Sequence, residues 1–188
     1  MTNTIGVMGA SGSFSEWAGQ TFLSKHQQQG NLVYLISAEN VLAALGKGEV
    51  DYGVIGIANN RGGIVWESLY AIAKYGCEII DRTALPIKQN LMTLPDIKLT
   101  DITEVHSHVQ AISQCREFLF KNLWGVKLIE ADDTAESARR LSQGQLPKTA
   151  AIIGRAECAV LYDLNLVAPD IHDLTANSTE FLWLQAKK

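Results

Sequence analysis

Short apolar runs alternate with helical patterns along this 188-residue chain. Ile5-Gly6-Val7-Met8 reads as a short buried strand, and Ser13 to Leu23 as the helix behind it, opened by a Ser13/Glu16 capping box. Leu32 to Ile36 reads as a strand, and Ser37 opens a short helix through Val41 to Leu45 that Gly46 stops. Tyr52 to Ile57 is a strand ending in the polar turn Asn59-Asn60-Arg61-Gly62-Gly63, after which a helix from about Ile64 to Tyr75 stops at Gly76. Beyond Pro86, Ile87 to Leu94 reads as a strand that Pro95 breaks. Asp101 to His106 leads into a helix capped by Ser107 and Gln110 and running to about Asn122. Val126 to Glu130 is a strand, and Asp133-Thr134-Ala135-Glu136 opens a helix to Leu141. Ala150 to Ile153 is a strand, Arg155 to Leu161 a helix, and Phe181 to Leu184 the last strand. The alternation predicts an α/β fold with mixed, mostly parallel sheets flanked by helices.

Composition narrows the function. The chain is 47% hydrophobic and 19% charged, which suits a soluble protein with a real core. A net charge of −4, with no basic run, argues against nucleic-acid binding. No apolar run approaches the roughly 18 residues of a membrane span. Met1-Thr2-Asn3-Thr4 has no basic leader character, so a cytoplasmic location is expected. Three cysteines without CxxC spacing read as free thiols, and the four histidines have no ligand spacing, so neither metal nor cofactor is expected.

Four polar turns open helices just after strands: residues 9–15, 59–63, 107–110 and 133–135. Helix N-termini gathered at strand ends suit a small anion. No GxxxxGKS occurs, so that anion is not expected to be a nucleotide phosphate. His108 is the strongest general acid or base by type, and the amides of Asn59 and Gln110 suit orienting a keto acid. Gln110 equally suits capping alone.

Several motifs carry a family resemblance. Gly9-Ala10-Ser11-Gly12-Ser13-Phe14-Ser15-Glu16 is similar to G-P-x-G-T-F-S-E, and Gly53 to Gly63 to G-V-V-P-I-E-N-S-x-x-G. Ser107-His108-Val109-Gln110-Ala111-Ile112-Ser113-Gln114-Cys115 resembles S-H-P-Q-A-L-x-Q-C. Asp133-Thr134-Ala135 stands where S-T-A is expected, followed by Ala150-Ala151-Ile152 and Tyr162. Asp170-Ile171-His172-Asp173 and Asn177-Ser178-Thr179-Glu180-Phe181 match I-x-D and N-x-T-R-F. Nearly the whole chain thus resembles the prephenate dehydratase superfamily.

The resemblance implies a two-lobed fold like type II periplasmic binding proteins, one lobe from residues 1–84 plus 168–188 and the other from 85–167, with the ligand cleft between them. It implies prephenate as substrate, a homodimer, and Thr179 as proton donor to the departing hydroxyl, with His108 and Asn59 as further catalytic residues. Substrate-binding positions would be Ser13, Asn60, Arg61, Gly63, Ser107, Gln110, Thr134, Ala135, Asn177, Glu180 and Phe181. No amino-acid-binding regulatory domain or chorismate mutase domain is read in the sequence, so feedback by phenylalanine is not expected.

Three positions depart from the motifs: Ala58 stands for a glutamate, Asn60 for a serine and Glu180 for an arginine. A swap of two charge units beside a carboxylate substrate is not neutral, since a unit pair at about 4 Å is worth on the order of 4 kcal/mol at an effective dielectric near 20. Arg61 is a candidate compensation through a bidentate carboxylate contact. These departures favour a lyase that decarboxylates prephenate without aromatising it, giving a dihydro-4-hydroxyphenylpyruvate. The alternatives are a prephenate dehydratase and a non-catalytic small-carboxylate binding protein.

Overall fold

A computed structural model describes residues 2–174 and 176–187. In chain order the elements are β1 (Asn3–Val7), α1 (Phe14–Lys25), β2 (Gly30–Tyr34), α2 (Ala38–Gly46), β3 (Tyr52–Asn59), β4 (Gly63–Ile64), α3 (Trp66–Tyr75), β5 (Glu78–Pro86) and β6 (Asn90–Thr93). After a 3-10 turn come β7 (Glu104–Ser107), α4 (Val109–Ser113), α5 (Arg116–Asn122), β8 (Lys127–Glu130), α6 (Thr134–Ser142), β9 (Ala150–Gly154), α7 (Glu157–Leu161), β10 (Asn165–Ala168) and β11 (Ser178–Gln185). They form two units, Met1–Pro86 with Ser178–Lys188, and Ile87–Asn177.

The first unit holds a sheet of order β2-β1-β3-β11-β5, with β4 folded back on β3. Pairing is parallel across β2-β1-β3 and antiparallel across β3-β11-β5. One face packs Leu182 and Leu184 with Val41, Leu42 and Leu45 of α2. The other carries Trp183, whose ring lies 5.3 Å from Phe22 of α1 and 4.7 Å from Tyr52. Full burial of side chains of this size contributes about 1.5–3 kcal/mol each. A Cβ at Gly53 would stand 2.8 Å from Val41, so only glycine lets α2 close this tightly on β3.

The second unit holds a sheet of order β10-β6-β9-β7-β8, antiparallel across β10-β6-β9 and parallel across β9-β7-β8. Its core gathers Leu91, Val105, Cys115, Leu119, Ile153 and Ile171. No helix among the described residues is long and apolar enough to cross a membrane.

The structure corrects the sequence reading in several places. The sheets are mixed rather than mostly parallel, because β5, β6, β10 and β11 all pair antiparallel. β5 and β10 were not expected as strands; both are sheet edges with mostly exposed or half-buried residues, so they lack the alternation that marks a buried strand. Helix α3 begins at Trp66, since Gly63 and Ile64 are spent on β4, where Gly63 takes φ +76°. The expected boundary at 167/168 falls instead at 177/178. Ile171 packs in the second core, the Asp170 N–H donates to Asn90 at 3.1 Å and the Asp173 N–H to the Gln114 carbonyl at 2.7 Å. Leu85 and Pro86 belong to the first unit because they pair with Thr179 and Ser178.

Candidate active site

Asn59 ends β3 and faces Thr179 in the register of β11. Its Nδ2 donates to Thr179 Oγ1 and to the Ser178 carbonyl, both at 2.9 Å. Its Oδ1 accepts the N–H groups of Arg61 at 2.8 Å and Gly62 at 2.7 Å. Asn59 is buried, and both ends of its amide are engaged. The Thr179 oxygen accepts from Asn59, which orients its own O–H away from that amide. Asn60 completes the arrangement: its N–H donates to the Ser178 carbonyl at 3.1 Å and its Oδ1 accepts the Ser178 N–H at 3.0 Å. Arg61 lies exposed in the β3–β4 turn, not at a helix start as its spacing suggested.

Successive strand residues point to opposite faces. Thr179 and Trp183 share the α1 face, and Phe181 between them is buried against Gly56. Phe181 is therefore a core side chain in this structure. Glu180 points the other way, where its carboxylate meets Arg82 of β5 at 3.4 Å on the exposed edge. Ala58 is the β3 partner of Glu180. The two charge departures in the sequence are thus cross-strand neighbours of each other, on the face away from Thr179.

The loop after β1 is held by α1. Ser13 caps the helix, its Oγ accepting the Glu16 N–H at 3.2 Å. The Glu16 carboxylate does not return to Ser13 as a capping box would have it. It accepts the Gly12 N–H at 2.5 Å and the Tyr34 hydroxyl at 2.6 Å. Burial, and then this bond to Glu16, push the Tyr34 phenol above its ordinary value.

In the second unit, Ser107 is not the cap it was expected to be. It is the last residue of β7, and its buried Oγ donates to the Ile153 carbonyl of neighbouring β9 at 2.7 Å. The cap is His108, whose Nδ1 accepts the Gln110 N–H at 3.2 Å. That bond places the proton of the neutral ring on Nε2. Gln110 Oε1 is buried without a hydrogen-bond partner in the structure. The helix also breaks at Gln114 and Cys115 into α4 and α5, because the Asp173 carboxylate accepts the N–H groups of Arg116 and Glu117 at 3.2 and 3.1 Å and starts a second helix there. Gln114 Oε1 accepts from Gln89 at 3.0 Å and from Asn177 at 2.8 Å, so buried Asn177 serves this amide network. Asp133 caps α6 at 2.7 Å, leaving Thr134 and Ala135 buried in its first turn. Sequence reasoning gave Glu16 only a capping role and gave none to Arg82, Gln114 or Asp173. Glu16, Gln114 and Asp173 stand inside the motifs already singled out, whereas Arg82 has no local signal. Among the described residues, no group of three His, Cys, Asp or Glu side chains is placed to hold a metal ion.

The sequence model of one protein family, described as prephenate dehydratase, matches residues 5–188. The chain belongs to the prephenate dehydratase family. It is 31% identical over 186 residues to the prephenate dehydratase of Lactococcus lactis subsp. lactis strain IL1403, a match covering 98% of this chain and 63% of that protein. The crystal structure of prephenate dehydratase from Arthrobacter aurescens in complex with L-Phe is similar at a TM-score of 0.83 and 27% identity, covering 98% of this chain and 61% of that one. The chain therefore spans about three fifths of the length of these relatives. A nutrient-binding protein from Burkholderia cenocepacia bound to methionine shares the fold at a TM-score of 0.51 and 13% identity, covering 98% of this chain and 85% of that one. The prephenate dehydratase fold seen here is accordingly of the type II periplasmic-binding-protein class.

Proposed function

We propose that this member of the prephenate dehydratase family dehydrates prephenate to phenylpyruvate, with release of water and carbon dioxide. The observation that carries the reading is the bond from Asn59 Nδ2 to Thr179 Oγ1. A threonine hydroxyl is a weak acid, and it serves as proton donor only if its developing negative charge is met by a fixed donor. Asn59 is such a donor, and it is held in turn by Arg61, Gly62 and Ser178.

In the reaction, the ring carboxylate leaves as carbon dioxide and its bonding electrons enter the ring. The double bonds shift, the bond from the ring to the hydroxyl breaks, and the departing oxygen takes the Thr179 proton and leaves as water. The ring becomes aromatic in the same rearrangement. One proton is consumed overall and returns to Thr179 from solvent. Asn59 orients the donor.

The non-aromatising decarboxylation favoured by the sequence departures has less support than dehydration. Ala58 and Glu180 pair with each other on the face away from Thr179, and Asn60 holds Ser178 through its backbone and its amide oxygen. None of the three removes the contact between Asn59 and Thr179. Proton NMR of prephenate incubated with the protein tests the reading. Aromatic phenylpyruvate signals are expected. Olefinic signals with a retained carbinol proton would establish the decarboxylase instead, and unchanged prephenate with shifted lines a binding protein.

A further inference from the structure

We propose that Asn60 is a positioning residue that holds Thr179 in place by adding a last step to the β3–β11 ladder; this rests on Thr179 being the proton donor. β3 ends at Asn59, which faces Thr179 in the antiparallel register with β11. One step further, the same register sets Asn60 against Ser178. The Asn60 N–H donates to the Ser178 carbonyl at 3.1 Å, as an antiparallel ladder requires. The return bond is made by a side chain, because the Ser178 N–H donates to Asn60 Oδ1 at 3.0 Å.

The main chain is already turning at this point. Asn59 Oδ1 accepts the N–H groups of Arg61 and Gly62, and Gly63 comes back to pair with Asn59 itself. A turn this tight ends the strand, and the amide oxygen of Asn60 takes the acceptor's place opposite Ser178. A serine, the residue of the family motif, carries its oxygen one bond closer to the main chain. The sequence placed Asn60 at the substrate; in the structure its Oδ1 serves the backbone of β11.

The location gives this extra step its consequence. Ser178 is the first residue of β11 and lies at the boundary between the two units. It is the end at which the strand would fray, and Thr179 is the next residue. Asn59 Nδ2 divides its bonds between the Ser178 carbonyl and Thr179 Oγ1, both at 2.9 Å. Loosening Ser178 therefore also loosens the amide that orients the Thr179 hydroxyl. A reacting group misplaced by about 1 Å loses on the order of 100-fold in rate, so a smaller drift at this position is felt in kcat.

The test uses the whole chain, with kinetics on prephenate and NMR of the free protein. In Asn60→Ala, kcat is expected to fall roughly 10-fold, with KM within about two-fold of wild type. Asn60→Asp keeps an acceptor oxygen in the same place and should recover most of the lost kcat. The Ser178 N–H should be protected from hydrogen exchange in the wild type and in Asn60→Asp, and exchange freely in Asn60→Ala. The main-chain N–H of Trp183, further along the same strand, should stay protected in all three. Three-bond couplings to the Thr179 methyl group should report one rotamer in the wild type and an average in Asn60→Ala. Unchanged kcat in Asn60→Ala would overturn the assignment. So would a raised KM at wild-type kcat, which would put the amide on the substrate, or a single Thr179 rotamer in the alanine variant. Absence of phenylpyruvate formation by the wild type would defeat the dehydratase reading alone. The exchange and coupling measurements would then still decide whether Asn60 fixes Thr179.

Discussion

Asn59 Nδ2 holds Thr179 Oγ1 at 2.9 Å across 120 residues of sequence. The contact joins the end of one strand to the start of another, and it fixes both the position of a hydroxyl and the direction of its proton. Removing either partner has different consequences. Thr179→Ala should lower kcat for phenylpyruvate formation roughly 100-fold or more, with KM little changed, because it deletes the proposed proton donor. Thr179→Ser should retain most of the rate. Asn59→Ala should lower kcat and also destabilise the fold by about 1–3 kcal/mol, since it removes the acceptor of the Arg61 and Gly62 N–H groups. Steady-state kinetics and urea unfolding separate the two effects.

Ala58→Glu with Glu180→Arg restores the charges of the family motif, and under the proposed dehydration the double variant should give the same product as the wild type. These positions pair with each other on the face away from Thr179. Glu180 and Arg82 are 38% and 77% exposed, so stability should change by no more than about 1 kcal/mol. Product analysis by NMR checks this. A shift in product identity would return these positions to the reaction.

Asp81 should give unfolding a pH dependence. The Lys25 ammonium bonded to it holds its carboxyl below the ordinary value, with further help from the Arg82 N–H and His26. A depressed carboxyl pKa stabilises the fold above the unfolded-state value and loses that contribution as pH falls through the folded-state value. Asp81→Asn should therefore be less stable than wild type at pH 7, and the difference should shrink as pH falls below the ordinary aspartate range. Denaturant midpoints measured between pH 7 and 3 decide it.

Cys115 and Cys158 are fully buried, and burial pushes the Cys115 thiol far above its ordinary value. Only thiolates react readily with disulfide reagents. In native protein at pH 8, partly buried Cys77 should react first and slowly, its thiol also being raised by burial. Cys115 and Cys158 should become reactive only on unfolding. Titration with Ellman's reagent before and after adding denaturant gives the count.

Much of this architecture was legible in the sequence where burial and local chemistry coincide. Strands such as Tyr52–Asn59 and Ala150–Gly154 are apolar because they are covered, and Ser13, Ser37 and Asp133 cap the helices that their spacing indicated. What was missed depends on distant partners. β5 takes its place from β11, about a hundred residues later, and Asp173 starts α5 from 57 residues away. The cap at His108 turned on whether the Ser107 hydroxyl served the helix or the neighbouring strand, and Ile153 decided it. Thr179 was visible as a motif. That Glu180 beside it points elsewhere required the register of three strands.

The placement of β11 sets an order of events during synthesis. This strand fills the gap between β3 and β5, yet it is encoded after the entire second unit. A ribosome making the chain must release residues 87–177 before the first sheet can close. The second unit is therefore free to fold while the first waits as an open sheet with β3 unpaired on one side. The hydroxyl of Thr179 meets Asn59 only when that gap is filled, so this contact forms only after the whole of the second unit has left the ribosome.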